Sequence, residues 1–225
     1  MFFVDNTVEL CLIGLIAYFE AFCKDQFASV VNICPELLLS LRKNGHDVMI
    51  DAADLITFED VAYRALGSLI ADKYDFGSAK QINSHYQALL KITPFSKDES
   101  KEYDQILHQR NLLVHHGGTF DIKYAEQNLE GRSDPVKYRA YWNALEITEE
   151  EYFDAALLVA DVATKIATVT QKVVSNFVSE NGVKLTDDQR DALQMLGLPF
   201  EIKKVTPRPR RKTQRKQASK DADES

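Results

Sequence analysis

Arg110, Asn111, His115 and His116 fall within the run Arg110-Asn111-Leu112-Leu113-Val114-His115-His116-Gly117-Gly118. The run sets a permanently charged guanidinium, an amide and two imidazoles around three apolar residues, and two glycines follow. Glycine readily takes the left-handed conformation that ends a helix, so the spacing predicts the last turns of a helix stopped at Gly117 and Gly118. At about 100° per residue, Asn111 and His115 then lie one above the other, with Arg110 beside them. Leu112, Leu113 and Val114 are left for packing. A guanidinium holds phosphate oxygens through parallel N–H bonds, and an imidazole, with a reference pKa of ~6.5, moves a proton near neutral pH. Sharing one polar patch, the two supply what cleavage of an RNA backbone requires. His and Gly are also ordinary at helix C-termini, where the dipole favours imidazolium. The same run can therefore be a plain cap, and the surrounding architecture has to decide.

That architecture reads as an all-α bundle. From about Asn6 to Val31 the chain is apolar nearly all round, with Val8, Leu12, Leu15, Ile16, Phe19, Phe22, Phe27 and Val30, which suits a helix at the centre of a bundle. Pro35 opens a short helix through Leu41 that Asn44-Gly45 ends. The stretch Asp47 to Ile56 is ambiguous. Thr57, with Asp60 three residues on, opens a helix carrying Val61, Leu66, Leu69 and Ile70, and another runs from about Ser78 to Ile92 until Pro94 stops it. Ser96 and Glu99 form a capping box for the helix that ends in the Arg110–His116 run, with Tyr103, Ile106, Leu107, Leu113 and Val114 as its apolar face.

From Thr119 to about Ile147 the pattern is irregular and reads as a long loop, of the kind that is often functional or partner-facing. Thr148 and Glu151 then cap a second long helix that lasts until Asn181-Gly182. Its pattern is Tyr152, Phe153, Ala156, Leu157, Ala160, Val162, Ala163, Ile166, Val169 and Val173. It is roughly 45–50 Å long and pairs with the first helix. Thr186 and Gln189 cap a last short helix through Leu196, which Gly197 and Pro199 end. The organisation is a helical domain over 1–183, an accessory helix over 184–200 and a basic tail over 201–225.

Charge is uneven. The chain carries −7 in all, while residues 201–225 hold nine Lys/Arg against four Asp/Glu, a net of +5 that leaves −12 for the rest. An acidic body repels a polyanion over most of its surface, so any nucleic-acid contact must be local. That disfavours a general nucleic-acid coat protein. The tail's composition predicts disorder over 206–225. Its cations, among them Arg208, Arg210, Arg211, Lys212, Arg215 and Lys216, either solubilise an end or tether RNA. The most apolar run, Leu10 to Phe19, is bracketed by Glu9 and Glu20 and is too short to span a membrane. The N-terminus lacks the basic start of a signal peptide, and Cys11, Cys23 and Cys34 are odd in number and too widely spaced for a metal knuckle. A cytoplasmic protein with buried thiols, no metal and no cofactor is the expectation. His46, His85 and His108 read as surface or packing histidines.

An all-helical bundle bearing Arg-Asn-(three residues)-His at a helix end resembles the HEPN superfamily, many of whose members are RNases of toxin–antitoxin and anti-phage systems. The family's motif is Arg, a polar residue, then His; Arg110, Asn111 and His115 satisfy it, and His116 is an alternative. Some members add Glu-(three residues)-Lys on an early helix, which Glu20 and Lys24 match. The resemblance covers roughly residues 5–180. It implies a homodimer, and an RNA substrate cut without metal. His115 would take the 2′-hydroxyl proton, attack on phosphorus would leave a 2′,3′-cyclic phosphate, and Arg110 would stabilise the phosphorane. Asn111 would hold the imidazole or a phosphate oxygen. Glu20 and Lys24 are also an i,i+4 pair in the favourable order, so they are either a solvated helix pair or groups that orient Arg110 or touch phosphate. Where some family toxins place a modifiable Tyr two residues after the His, this chain has Gly117. The functional expectation is thus a defence-associated endoribonuclease, with an antitoxin protein as a possible partner. Its rivals are a catalytically inactive dimerisation module of the same family and a plain helical adaptor whose motif is only a cap.

Overall fold

The computed structural model describes residues 6–53, 56, 62–118 and 145–197, with only the backbone of 62–65. All regular structure among them is helical. The long helix α1 (Thr7–Ile33) leads through a 3₁₀ turn (Pro35–Leu37) into α2 (Leu38–Lys43). Then come α3 (Ala62–Ala71), α4 (Ala79–Leu90), α5 (Lys97–His116), α6 (Glu149–Asn181) and α7 (Asp187–Leu196). The expected helix entry at Thr57 and Asp60, the loop over 119–144 and the tail beyond 197 lie outside the described residues.

α1 is the central element, packed against α3, α5, α6 and α7. It buries Leu12, Ile16, Phe19, Cys23, Phe27 and Val30, close to the sequence expectation. Its crossing with α3 needs a glycine. A Cβ on Gly67 would lie 1.9 Å from the carbonyl oxygen of Ala28, and the Gly67 amide donates to Oδ1 of Asn32 at 2.7 Å. Backbone touches backbone there, and only hydrogen fits.

α5 is held from both ends. At its start Ser96 and Glu99 form the expected capping box. Asn83 of α4 clamps the preceding residue reciprocally, accepting from the Phe95 amide and donating to the Phe95 carbonyl, both at 2.9 Å. Lys165 of α6 donates to Glu99, tying the same end to the second long helix. At its finish Gly117 (φ 58°) and Gly118 (φ 80°) are both left-handed. The Gly118 amide reaches back to the Leu112 carbonyl at 3.1 Å, and its carbonyl accepts from the Leu145 amide at 2.7 Å. The chain therefore leaves and rejoins the bundle at one point.

Several helix faces sit differently from expectation. Val114 shares the face of Tyr103 and Arg110 but lies a turn past Arg110 and is 47% exposed, whereas Leu112 is buried, as its reading for packing expects. Along α6 the buried seam is Ala155, Leu158, Val159, Val162, Ala163, Ile166, Ala167 and Val174. Phe153 and Leu157, 58% and 56% exposed, stand off it. Small alanines on the seam let α1 approach closely, which turns the bulkier pair outward. α4 ends at Lys91, itself left-handed (φ 59°), rather than at Pro94. Cys23 and Cys34 are buried, but Cys11 is exposed. α7 joins the common core through Leu196. Its Gln189 donates to the Asn32 and Ile33 carbonyls at the end of α1 at 3.2 and 3.3 Å. No described helix is long and apolar enough to cross a membrane.

Candidate functional site

Arg110 points from the last turns of α5 back onto α1, where its Nη2 donates to Oε1 of Glu20 at 2.7 Å. Its Nη1 donates to Oδ1 of the neighbouring Asn111 at 3.0 Å. Residues far apart in the chain are thus brought together because α5 is fixed at its start and packed along α1. The side chains of Arg110 and Glu20 are 22% and 25% exposed, so the pair is half-sunk at the rim of the core. Burial pushes the Glu20 carboxyl above its usual value, Arg110 pulls it back, and the nearby Asp75 raises it further. A carboxylate in this position has lost much of its hydration and depends on the guanidinium beside it.

Glu20 and Lys24 do not pair with each other. Lys24 Nζ binds Oδ1 of Asp72, beyond the end of α3, at 2.5 Å. Both α1 residues turn to partners distant in the chain, Glu20 to Arg110 on α5 and Lys24 to Asp72 in the turn after α3, which neutralise them better than a solvated i,i+4 contact. The solvated Glu20–Lys24 pair is therefore not formed, and Glu20 holds Arg110 instead.

Beside this pair lies an open cleft of about 260 Å³. One wall is Ala17, Glu20, Ala21 and Lys24 of α1, and the other is the Tyr74–Gly77 turn. The turn is braced internally. Asp75 accepts from the Gly77 amide at 2.7 Å and from Gln81 Nε2 at 2.8 Å, while its carbonyl accepts from Nε2 of His85 at 2.9 Å. His85 is buried and stacks on Tyr74, with ring centroids 4.9 Å apart. Burial lowers its imidazole below the usual range, and the bond to the Asp75 carbonyl offsets only part of that. His85 is thus a packing histidine, as expected; His108 is exposed and His46 half-buried.

His115 is exposed at the end of α5, a turn above Asn111. It sits about 140° around the helix from Arg110, and no hydrogen bond joins them among the described residues. His116 is exposed at the last helical position. The structure therefore unites Glu20, Arg110 and Asn111 in one bonded group and leaves His115 outside it, exposed on another side of the helix, so the shared polar patch expected of Arg110 and His115 is not formed. The expected tail contacts at Arg208, Arg210, Arg211, Lys212, Arg215 and Lys216 lie outside the described residues.

Asp72, Asp75 and the cleft were not legible in the sequence, since nothing in Asp72–Gly77 marks it as more than a turn. Tyr103, seven residues before Arg110 and so on its face of α5, was read only as core. No protein-family model, curated protein or solved structure matches this chain.

Proposed function

We propose that this chain is a metal-independent endoribonuclease of HEPN type that works as a homodimer. The observation that supports it best is the helix end itself. A guanidinium positioned by a carboxylate and an amide shares the last turns of one helix with a solvent-exposed imidazole. Arg110 uses two of its five N–H groups on Glu20 and Asn111 at rest. On binding RNA it turns to a phosphate, where it stabilises the negative charge that builds as phosphorus becomes five-coordinate. His115 takes the 2′-hydroxyl proton. The 2′-oxygen then bonds to phosphorus, the bond to the 5′-oxygen breaks, and that oxygen takes up a proton, leaving a 2′,3′-cyclic phosphate. One imidazole cannot serve both sides of the phosphorus, so a second copy of the helix end supplies the proton donor.

The test is cleavage of a labelled RNA in EDTA. Wild type is expected to cut and to leave a cyclic phosphate, while Arg110→Ala and His115→Ala each lose about 10²-fold or more. His115→Ala should change unfolding free energy by less than about 0.5 kcal/mol, since the side chain is exposed. A wild type that cuts nothing overturns the proposal. It would favour the second reading, a non-catalytic dimerisation module, which the ion pair between Arg110 and Glu20 supports because it neutralises the cation at rest.

A further inference from the structure

Tyr103 stands two turns before Arg110 on the same face of α5. Its ring is fully buried and packs edge-on against Phe19, the α1 neighbour of Glu20, with centroids 5.5 Å apart. Phe95 covers it from another side at 5.0 Å. These are ordinary core contacts, but the hydroxyl has no hydrogen-bond partner. Tyr86, equally buried, shows what a core tyrosine normally does: its hydroxyl donates to the Cys23 carbonyl at 2.9 Å. A buried donor left unmatched is uncommon, because its lost hydration is not repaid. Side chains on a helix lean toward its N-terminus, so Arg110, in reaching Glu20, leans toward Tyr103. The charges of Glu20 and Arg110 both bear on the phenol.

We propose that Tyr103 is the second partner of Glu20, its hydroxyl donating to the carboxylate when Arg110 leaves it for a phosphate. A half-buried carboxylate stripped of its guanidinium would otherwise hold Arg110 back. A donor left idle on the face of α5 that carries Arg110, with its ring against the neighbour of Glu20, would swing to the carboxylate and make the exchange one bond for another. Tyr103 is in this sense a positioning residue, acting on Arg110 through Glu20. The phosphate step rests on the ribonuclease reading, whereas the exchange among the three side chains does not.

A thermal double-mutant cycle tests the exchange without RNA. In wild type, Tyr103→Phe is expected to leave Tm unchanged or raise it, since the hydroxyl has no bond to lose. In an Arg110→Met background the same change is expected to lower Tm by about 4 °C, because Glu20 has by then taken the hydroxyl. Arg110→Gln gives a second background with the same expected sign. Equal shifts with and without Arg110 would overturn the proposal. With RNA, Tyr103→Phe should lower kcat about tenfold with KM little changed, and with no loss of Tm; an unchanged kcat also overturns it. If wild type cuts no RNA, the thermal cycle still decides, so the two ideas fail separately.

Discussion

At the scale of single residues, the candidate site is a matter of which polar groups have partners. Arg110 and Glu20 satisfy each other, Lys24 satisfies Asp72, and His115 faces solvent. His85 makes the clearest pH prediction. Its imidazole lies below the usual 6.5 in the folded chain because burial disfavours the charged form, with the His46 charge acting the same way and Asp75 opposing. The unfolded chain therefore binds a proton more readily, so His85 contributes stability above about pH 6.5 that is lost as pH falls through its lower folded value. Urea midpoints measured from pH 7.5 to 5 should fall, and His85→Gln should flatten that decline. Glu99 acts in a lower window. Its bonds to Lys165 and to the Ser96 amide hold its carboxyl down at about 2. That contribution is present above 4.5 and disappears as pH falls toward about 2. Glu99→Gln keeps the cap acceptor and loses the charge. It should be less stable than wild type at pH 7 by under about 1 kcal/mol, with the gap closing in acid.

At the scale of helices, what positions Arg110 is the crossing of α1 with its neighbours. Gly67 is the tightest point. Gly67→Ala should destabilise by more than about 2 kcal/mol in equilibrium denaturation, because its Cβ would meet the Ala28 carbonyl and the two backbones must part. Helix existence was largely legible in the chain. Capping boxes at Ser96, Thr148 and Thr186, and the glycines after α5 and α6, mark their helices by local hydrogen bonding that needs no tertiary contact. Which face turns inward was less legible. Phe153 and Leu157 fit an apolar stripe as well as Ala155 and Leu158 do, and only the close approach of α1 selects the alanine seam. The site was half legible for the same reason. Arg110 and His115 share one helix, whereas the partnership of Arg110 with Glu20, ninety residues away, and of Lys24 with Asp72, depends on how helices cross.

At the scale of the whole molecule, charge is the governing feature. A body of −12 joined to a tail of +5 over 201–225 makes the tail the stretch whose net charge favours a polyanion. Removing 201–225 is expected to weaken RNA binding and to flatten its dependence on salt, since up to about eight cationic contacts would go. Filter binding at 50 and 200 mM salt would show it, and an unchanged slope would count against a tail role.

Gly118 and Leu145 share a backbone hydrogen bond of 2.7 Å, so the twenty-six residues between them begin and end at neighbouring atoms. A stretch attached in this way behaves as a cassette. Its length can change with little demand on the helices, because closure entropy grows slowly, by about 0.6 kcal/mol for each doubling. Its docking point is also the stop of the helix that carries Arg110 and His115. Variation in the cassette would therefore alter what meets this helix end while the scaffold beneath stays fixed.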